Sequence, residues 1–145
     1  MSREKPKEQP SNFPYRSNKH MKQIRVVIID DEPIAIEVVW ELIGLLAPEF
    51  SVEGTARDGV EAVEKINALE PDLVFMDVDM PLVNGYQVLQ QLTYRSFFLV
   101  FTSGYETIPA DSVHNMDFLS LSKPIDPSEF KDIVHSVRQR FATTA

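Results

Sequence analysis

Five side chains are of the types that handle phosphate and hard cations, and each follows a short apolar run. Asp30 and Asp31 close Ile24–Ile29, Asp77 closes Leu73–Met76, Thr102 follows Phe97–Phe101, and Lys123 follows Phe118–Leu121. If those runs are neighbouring parallel strands, their carboxyl ends share one edge of a sheet. Three carboxylates then converge, and two like charges about 4 Å apart repel by roughly 4 kcal/mol at an effective dielectric near 20. A divalent cation and the Lys123 ammonium together neutralise three carboxylates. Mg²⁺ suits such a site, because it binds through one or two carboxylates, keeps several waters and works beside phosphate. A carboxylate can also attack a phosphoryl group to give an aspartyl phosphate. The three equatorial oxygens of the transferred group need cationic and hydrogen-bonding partners. The metal, Lys123 and the Thr102 hydroxyl would serve one oxygen each. No general base is evident.

The elements that must position these groups alternate along the chain. Ile24–Ile29 is a β-branched run. Pro33–Leu46 has helix length, with proline in its first turn. Ser51–Ala56 reads as a weak strand. Asp58–Leu69 carries Val60, Val63 and Ile66 at helical spacing, with Asp58 as cap. Leu73–Met76 is a buried strand, Gly85–Tyr94 a helix with Val88, Leu89 and Leu92, and Phe97–Phe101 a third apolar strand. Residues 106–115 read as a helical crossover, Phe118–Leu121 as the last strand and Asp126–Phe141 as the last helix. Five strands alternating with five helices predict an α/β domain, a doubly wound parallel five-stranded sheet with helices on both faces.

Composition narrows the classes. With 145 residues the chain is one domain's worth. The absence of cysteine excludes disulfide scaffolds, thiol catalysis and thiolate zinc sites. The longest apolar run, Leu42–Ala47, is far too short to span a membrane. No apolar stretch follows the basic start, so no signal peptide is expected and the expected compartment is the cytoplasm. The net charge of −8 is uneven: residues 1–22 carry +4 and the rest −12. An acidic body argues against direct nucleic-acid binding. The basic, proline-containing first 22 residues read as a flexible extension ahead of a single domain over 23–145, and Met21 is an alternative start.

The ordered set resembles the receiver domain of two-component response regulators. The residues that carry it are the acidic pair in VVIIDDEP, the run FMDVDMPLVNG, the threonine of VFTSG and the lysine-proline of SKPID, over about residues 23–141. Each piece alone is bland; the four in order are specific. The resemblance implies a flavodoxin-like (βα)5 fold and a phosphorelay role rather than a turnover enzyme. Asp77 would accept a phosphoryl group from a sensor histidine kinase or phosphotransfer protein. Asp31 would ligate Mg²⁺ directly, Asp30 largely through bound water, and Asp79 through its backbone carbonyl, with Asp77 completing the metal set. Lys123 and Thr102 would contact the phosphoryl oxygens. Pro124 would fix the turn, through a cis peptide bond, and Gly85 would let the loop after Asp77 enter the next helix. The output partner is unknown; residues 106–117 and the last helix, on the side of the fourth and fifth strands, would form a partner or homodimer face. The run LSKPIDPSEF is reminiscent of receivers joined to LytTR-type DNA-binding domains, but no effector module is read in this sequence. It reads as a stand-alone receiver or the excised receiver of a longer regulator.

Three features depart from the family pattern. An aromatic residue usually stands three positions before the lysine, where this chain has Ser120; Phe118 lies two positions earlier, on the same strand face. Either Phe118 substitutes through a shifted strand, or the aromatic part of the switch is missing, which the reading favours. Asp79 adds charge beside the nucleophile and is expected to alter the lifetime of a phosphoaspartate. The helix after Asp77 is short. Two rival readings remain. FMDVDMP also fits the DxD signature of haloacid-dehalogenase-like phosphatases, with Asp77 as nucleophile and Asp79 as acid/base, although the acidic pair precedes it and there is no room for a cap domain. A pseudo-receiver that never accepts phosphate is the other.

Overall fold

The computed structural model describes residues 23–104 and 117–143. The elements are β1 (Ile24–Ile29), α1 (Pro33–Leu46), β2 (Phe50–Ala56), α2 (Gly59–Leu69), β3 (Leu73–Asp77), α3 (Gly85–Gln91), β4 (Phe98–Ser103), β5 (Phe118–Ser122) and α4 (Pro127–Thr143). The five strands form one parallel sheet in the order β2-β1-β3-β4-β5. This is the doubly wound arrangement expected of βα repetition. The order reverses between β1 and β3, and ligands of such sheets bind beyond the strand ends at that point. The expected helix at 106–115 and the basic extension 1–22 lie outside the described residues.

Strand alternation sorts the apolar residues into two cores. Val26 and Ile28 of β1, Leu73 and Phe75 of β3, Phe98 and Val100 of β4 and Leu121 of β5 face α1 and α4, meeting Ile36, Val39 and Ile43 of the former and Phe130, Val134 and Val137 of the latter. Phe75 stacks on Phe130 at 5.7 Å between ring centroids. Residues of the opposite parity, Val27, Ile29, Val74, Met76, Leu99 and Phe101, face Ala62 and Ile66 of α2 and Val88 and Leu89 of α3.

Helix starts follow local chemistry. Pro33 opens α1 after Glu32. Asp58 caps α2, its Oδ1 accepting the Glu61 N–H at 2.8 Å. Asn84 and Gln87 form a reciprocal capping box on α3. Most boundaries fall within one or two positions of the sequence expectation, and the largest difference is at α3, which stops at Gln91, not at Tyr94. The N–H groups of Thr93 and Tyr94 donate instead to Asn67 Oδ1 of α2, at 3.0 and 3.1 Å, and the Tyr94 hydroxyl bonds the carbonyls of Pro71 and Ser96. A side-chain acceptor on a neighbouring helix thus outcompetes the next helical turn.

Candidate functional site

The site follows from parity. Asp30, Asp77, Thr102 and Lys123 each continue the positions that face α1 and α4: 26, 28, 30 in β1; 73, 75, 77 in β3; 98, 100, 102 in β4; 119, 121, 123 in and after β5. With a period of two, each side chain points the same way from the same edge. Register fixes the levels. Asp77 pairs with Thr102 across β3 and β4, and Lys123 N–H extends the β4–β5 ladder by donating to Ser103 O at 2.9 Å.

Lys123 Nζ bridges the two buried carboxylates, 2.8 Å from Asp30 Oδ2 and 3.3 Å from Asp77 Oδ2. The remaining oxygens take backbone donors: Asp30 Oδ1 accepts Glu32 N–H and Asp77 Oδ1 accepts Asp79 N–H, each at 3.0 Å. Asp31, half-buried, brings one carboxylate oxygen to within 4.8 Å of one each from Asp30 and Asp77. Thr102 is buried. Asp79 is exposed and its carboxylate stands outside this trio, so its link to Asp77 runs through its backbone N–H. Glu32, which the sequence reading did not single out, places Oε1 3.8 Å from Lys123 Nζ. Its place directly after the acidic pair was the available signal. Peptide bond Lys123–Pro124 is cis.

Burial and the neighbouring charges set the electrostatics of the pocket. Burial pushes the Asp77 carboxyl up to about 6; the Asp30 charge adds to this, while Asp79 N–H and Lys123 oppose it. Burial alone would lower the Lys123 ammonium, yet it is raised, because hydrogen bonding and attraction to Asp30 and then Asp77 outweigh desolvation. Three carboxylates against one ammonium leave the pocket two charges negative. Hard oxygen donors and that charge deficit suit a divalent cation such as Mg²⁺.

Gly85 is a matter of space rather than conformation, since no glycine has positive φ. A Cβ there would stand 2.9 Å from Asp77 O and 3.2 Å from the Phe101 ring. The switch-aromatic position resolves equally plainly. Strand β5 pairs with Ser120 opposite Phe101 and Phe118 opposite Leu99, so there is no strand shift that would carry Phe118 into the place of Ser120. Ser120 is exposed, while Phe118 packs edge-on against Phe101, which packs edge-on against Tyr86. The partner face expected around 106–117 lies outside the described residues except for Asp117, which pairs with Arg140 of α4.

Among the described residues no helix is long and apolar enough to cross a membrane. Residues 26–135 match the response regulator receiver domain family. The chain is 31% identical over 112 residues to an uncharacterized response regulatory protein of Vibrio vulnificus, covering 77% of this chain and 46% of that one. It is 33% identical over 121 residues to the transcriptional regulatory protein BtsR of Salmonella typhi, covering 80% and 48%. The chain therefore spans about half the length of these curated relatives. It is also similar to the response regulator domain of Thermotoga maritima CheB, with a TM-score of 0.66 and 27% identity over 84% of this chain and 96% of that one.

Proposed function

The chain belongs to the response regulator receiver domain family of two-component systems, and on that footing we propose that it accepts a phosphoryl group on Asp77 and so switches a protein-contact surface. The observation that carries this reading is the bridging of two buried carboxylates, Asp30 and Asp77, by one Lys123 beside Asp31. With its carboxyl near 6, Asp77 is mostly anionic at neutral pH and thus nucleophilic. A carboxylate oxygen of Asp77 attacks phosphorus. The bond from phosphorus to the donor, the imidazole nitrogen of a phosphohistidine or the acyl oxygen of acetyl phosphate, breaks and its electron pair leaves with the donor. Lys123 Nζ and the Thr102 hydroxyl then serve as donors to the phosphoryl oxygens. Asp30, Asp31, Asp77 and the Asp79 carbonyl would hold Mg²⁺, which when bound neutralises charge on the phosphoryl oxygens.

Donor access is from the α1 side. A groove of about 680 Å³ opens beside Lys123, lined by Glu32, Ile34, Val38 and Ile125 among others. An apolar wall next to the acidic pocket suits the helical surface of a histidine kinase or phosphotransfer protein. No step here is a turnover reaction, the compartment proposed is the cytoplasm, and the switched surface acts on another domain or another protein. A phosphatase of the haloacid-dehalogenase type needs the second aspartate as acid/base on the leaving group; the exposed Asp79 carboxylate, outside the acidic trio, is poorly placed for that.

Incubation with acetyl phosphate and Mg²⁺, read by intact mass, tests the proposal. One phosphoryl group per chain, absent in Asp77→Asn, is expected. No gain in mass under any condition points to a pseudo-receiver, and continuous phosphomonoester turnover points to a phosphatase.

A further inference from the structure

Glu32 stands where a helix-capping side chain belongs, yet it does not cap. It is the N-cap residue of α1, and its side chain makes no cap hydrogen bond. Pro33, next in line, has no N–H to offer it. The fold uses the backbone of Glu32 instead. Its N–H donates to Asp30 Oδ1 at 3.0 Å, and its carbonyl accepts the N–H groups of Ala35 and Ile36. The carboxylate is left to the mouth of the acidic pocket, with Oε1 3.8 Å from Lys123 Nζ.

Exposure traces a path outward from the nucleophile. The Asp77 side chain is 3% exposed, Lys123 22% and Glu32 69%, and Lys123 pairs with both carboxylates. The path opens into the groove beside α1, where Lys123 and Glu32 are the charged groups among otherwise apolar lining residues. Walls of low dielectric focus the field of such charges. In phosphoryl transfer the nucleophile and the leaving group lie roughly in line on opposite sides of phosphorus. A phosphoryl group attacked by the buried Asp77, with Lys123 at its oxygens, therefore turns its leaving group outward, towards Glu32.

The charge on that leaving group differs between donors. In each case an Asp77 oxygen bonds phosphorus, and the electron pair of the broken bond stays on the departing atom. Acetyl phosphate releases acetate, an anion. A donor nitrogen that is protonated, as in phosphoramidate or a protonated phosphohistidine, arrives with positive charge and leaves as neutral ammonia or imidazole.

We propose that Glu32 is a specificity residue that selects the phosphodonor by leaving-group charge, favouring protonated nitrogen donors such as phosphohistidine over acyl phosphates. Its carboxylate attracts a cationic leaving group seated in the groove and repels an acetate as it forms. Glu32 itself makes and breaks no bond. This selection rests on the phosphoacceptor function proposed above and deepens it.

Second-order rate constants for labelling by phosphoramidate and by acetyl phosphate, read by intact mass at saturating Mg²⁺, are compared in native, Glu32→Gln and Glu32→Asp chains. Repulsion of the phosphoryl oxygens is common to both donors and cancels in the ratio of the two constants. An exposed charge changes a rate by up to about fivefold, so Glu32→Gln should lower the ratio of phosphoramidate to acetyl phosphate by roughly two- to fivefold. Glu32→Asp keeps the charge and should keep the native ratio. The shift should shrink as NaCl is raised, because the groups involved are open to solvent. Circular dichroism should show both variants folded, since the side chain has no capping bond to lose. An unchanged ratio in Glu32→Gln overturns the selection. So does a shift that Glu32→Asp shares or that salt leaves intact, and so does loss of labelling by both donors in Glu32→Gln alone. If neither donor labels the native chain, the phosphoacceptor reading falls and takes the selection with it; labelling with an unshifted ratio removes the selection alone.

Discussion

Asp77 sits in a pocket that resists its ionisation, which makes its stability effect opposite to that of most native carboxylates. Burial raises its carboxyl from 3.8 to about 6. Between those values the folded state holds a proton that the unfolded state has lost, so the Asp77 contribution falls as pH rises from about 4 to about 6. In metal-free buffer, Asp77→Asn should therefore be the more stable protein at pH 7, by on the order of 2 kcal/mol. The gap should close towards pH 4. The difference between the two urea-denaturation curves isolates this site, because groups such as Glu49, lowered by its hydrogen bond to Arg138, titrate alike in both proteins. A gap that is constant across the range would show that the pocket does not perturb Asp77. Asp79 gives a second residue-level expectation. Its backbone N–H holds Asp77 while its carboxylate stands exposed beside the pocket. An exposed charge is worth up to about 1 kcal/mol, so Asp79→Asn should change the phosphoaspartate lifetime by up to about fivefold. An unchanged dephosphorylation rate removes that role.

At the scale of elements, the loop from β3 to α3 is held close beneath the site by the lack of a side chain at Gly85. A Cβ there meets the Asp77 carbonyl, which belongs to the backbone and cannot rotate aside. Gly85→Ala should cost about 1–3 kcal/mol by overpacking, seen as a lower urea midpoint, and should slow labelling by acetyl phosphate because Asp77 itself must shift. A variant that is destabilised but labels at the native rate would separate packing from the site. The same elements show what sequence can carry. The bounds of β1 and α1 and the parity that aims Asp30, Asp77, Thr102 and Lys123 at one face were legible, because apolar runs and a first-turn proline act locally. The end of α3 was not, since it depends on Asn67, more than twenty positions earlier, accepting the N–H groups of Thr93 and Tyr94. The Glu32–Lys123 contact and the Phe118–Phe101 packing were likewise hidden, because each is made only when distant strands come into register.

For the whole molecule, the acidic pocket couples cation binding to folding. The trio of carboxylates exists only when β1 and β3 are adjacent, so a cation held there binds the folded chain and not the unfolded one. At ten times its Kd such a ligand stabilises the fold by about 1.4 kcal/mol, and at a hundred times by about 2.7 kcal/mol. In a domain of this size that should raise Tm by several degrees, roughly 3–6 °C for the lower figure. General screening of the net charge of −8 would also stabilise the chain, so the comparison is between MgCl₂ and NaCl at equal ionic strength. Mg²⁺ should give the larger rise, and Asp31→Ala should reduce it to the NaCl level. Asp31 is the informative substitution, because the ion pairs of Lys123 are with Asp30, Asp77 and Glu32. Its removal therefore spares the Lys123 bridge between the two buried aspartates while taking away a cation ligand. Equal rises in the two salts, or an Asp31→Ala variant that keeps the Mg²⁺ effect, would mean that the carboxylates are neutralised by Lys123 and solvent alone.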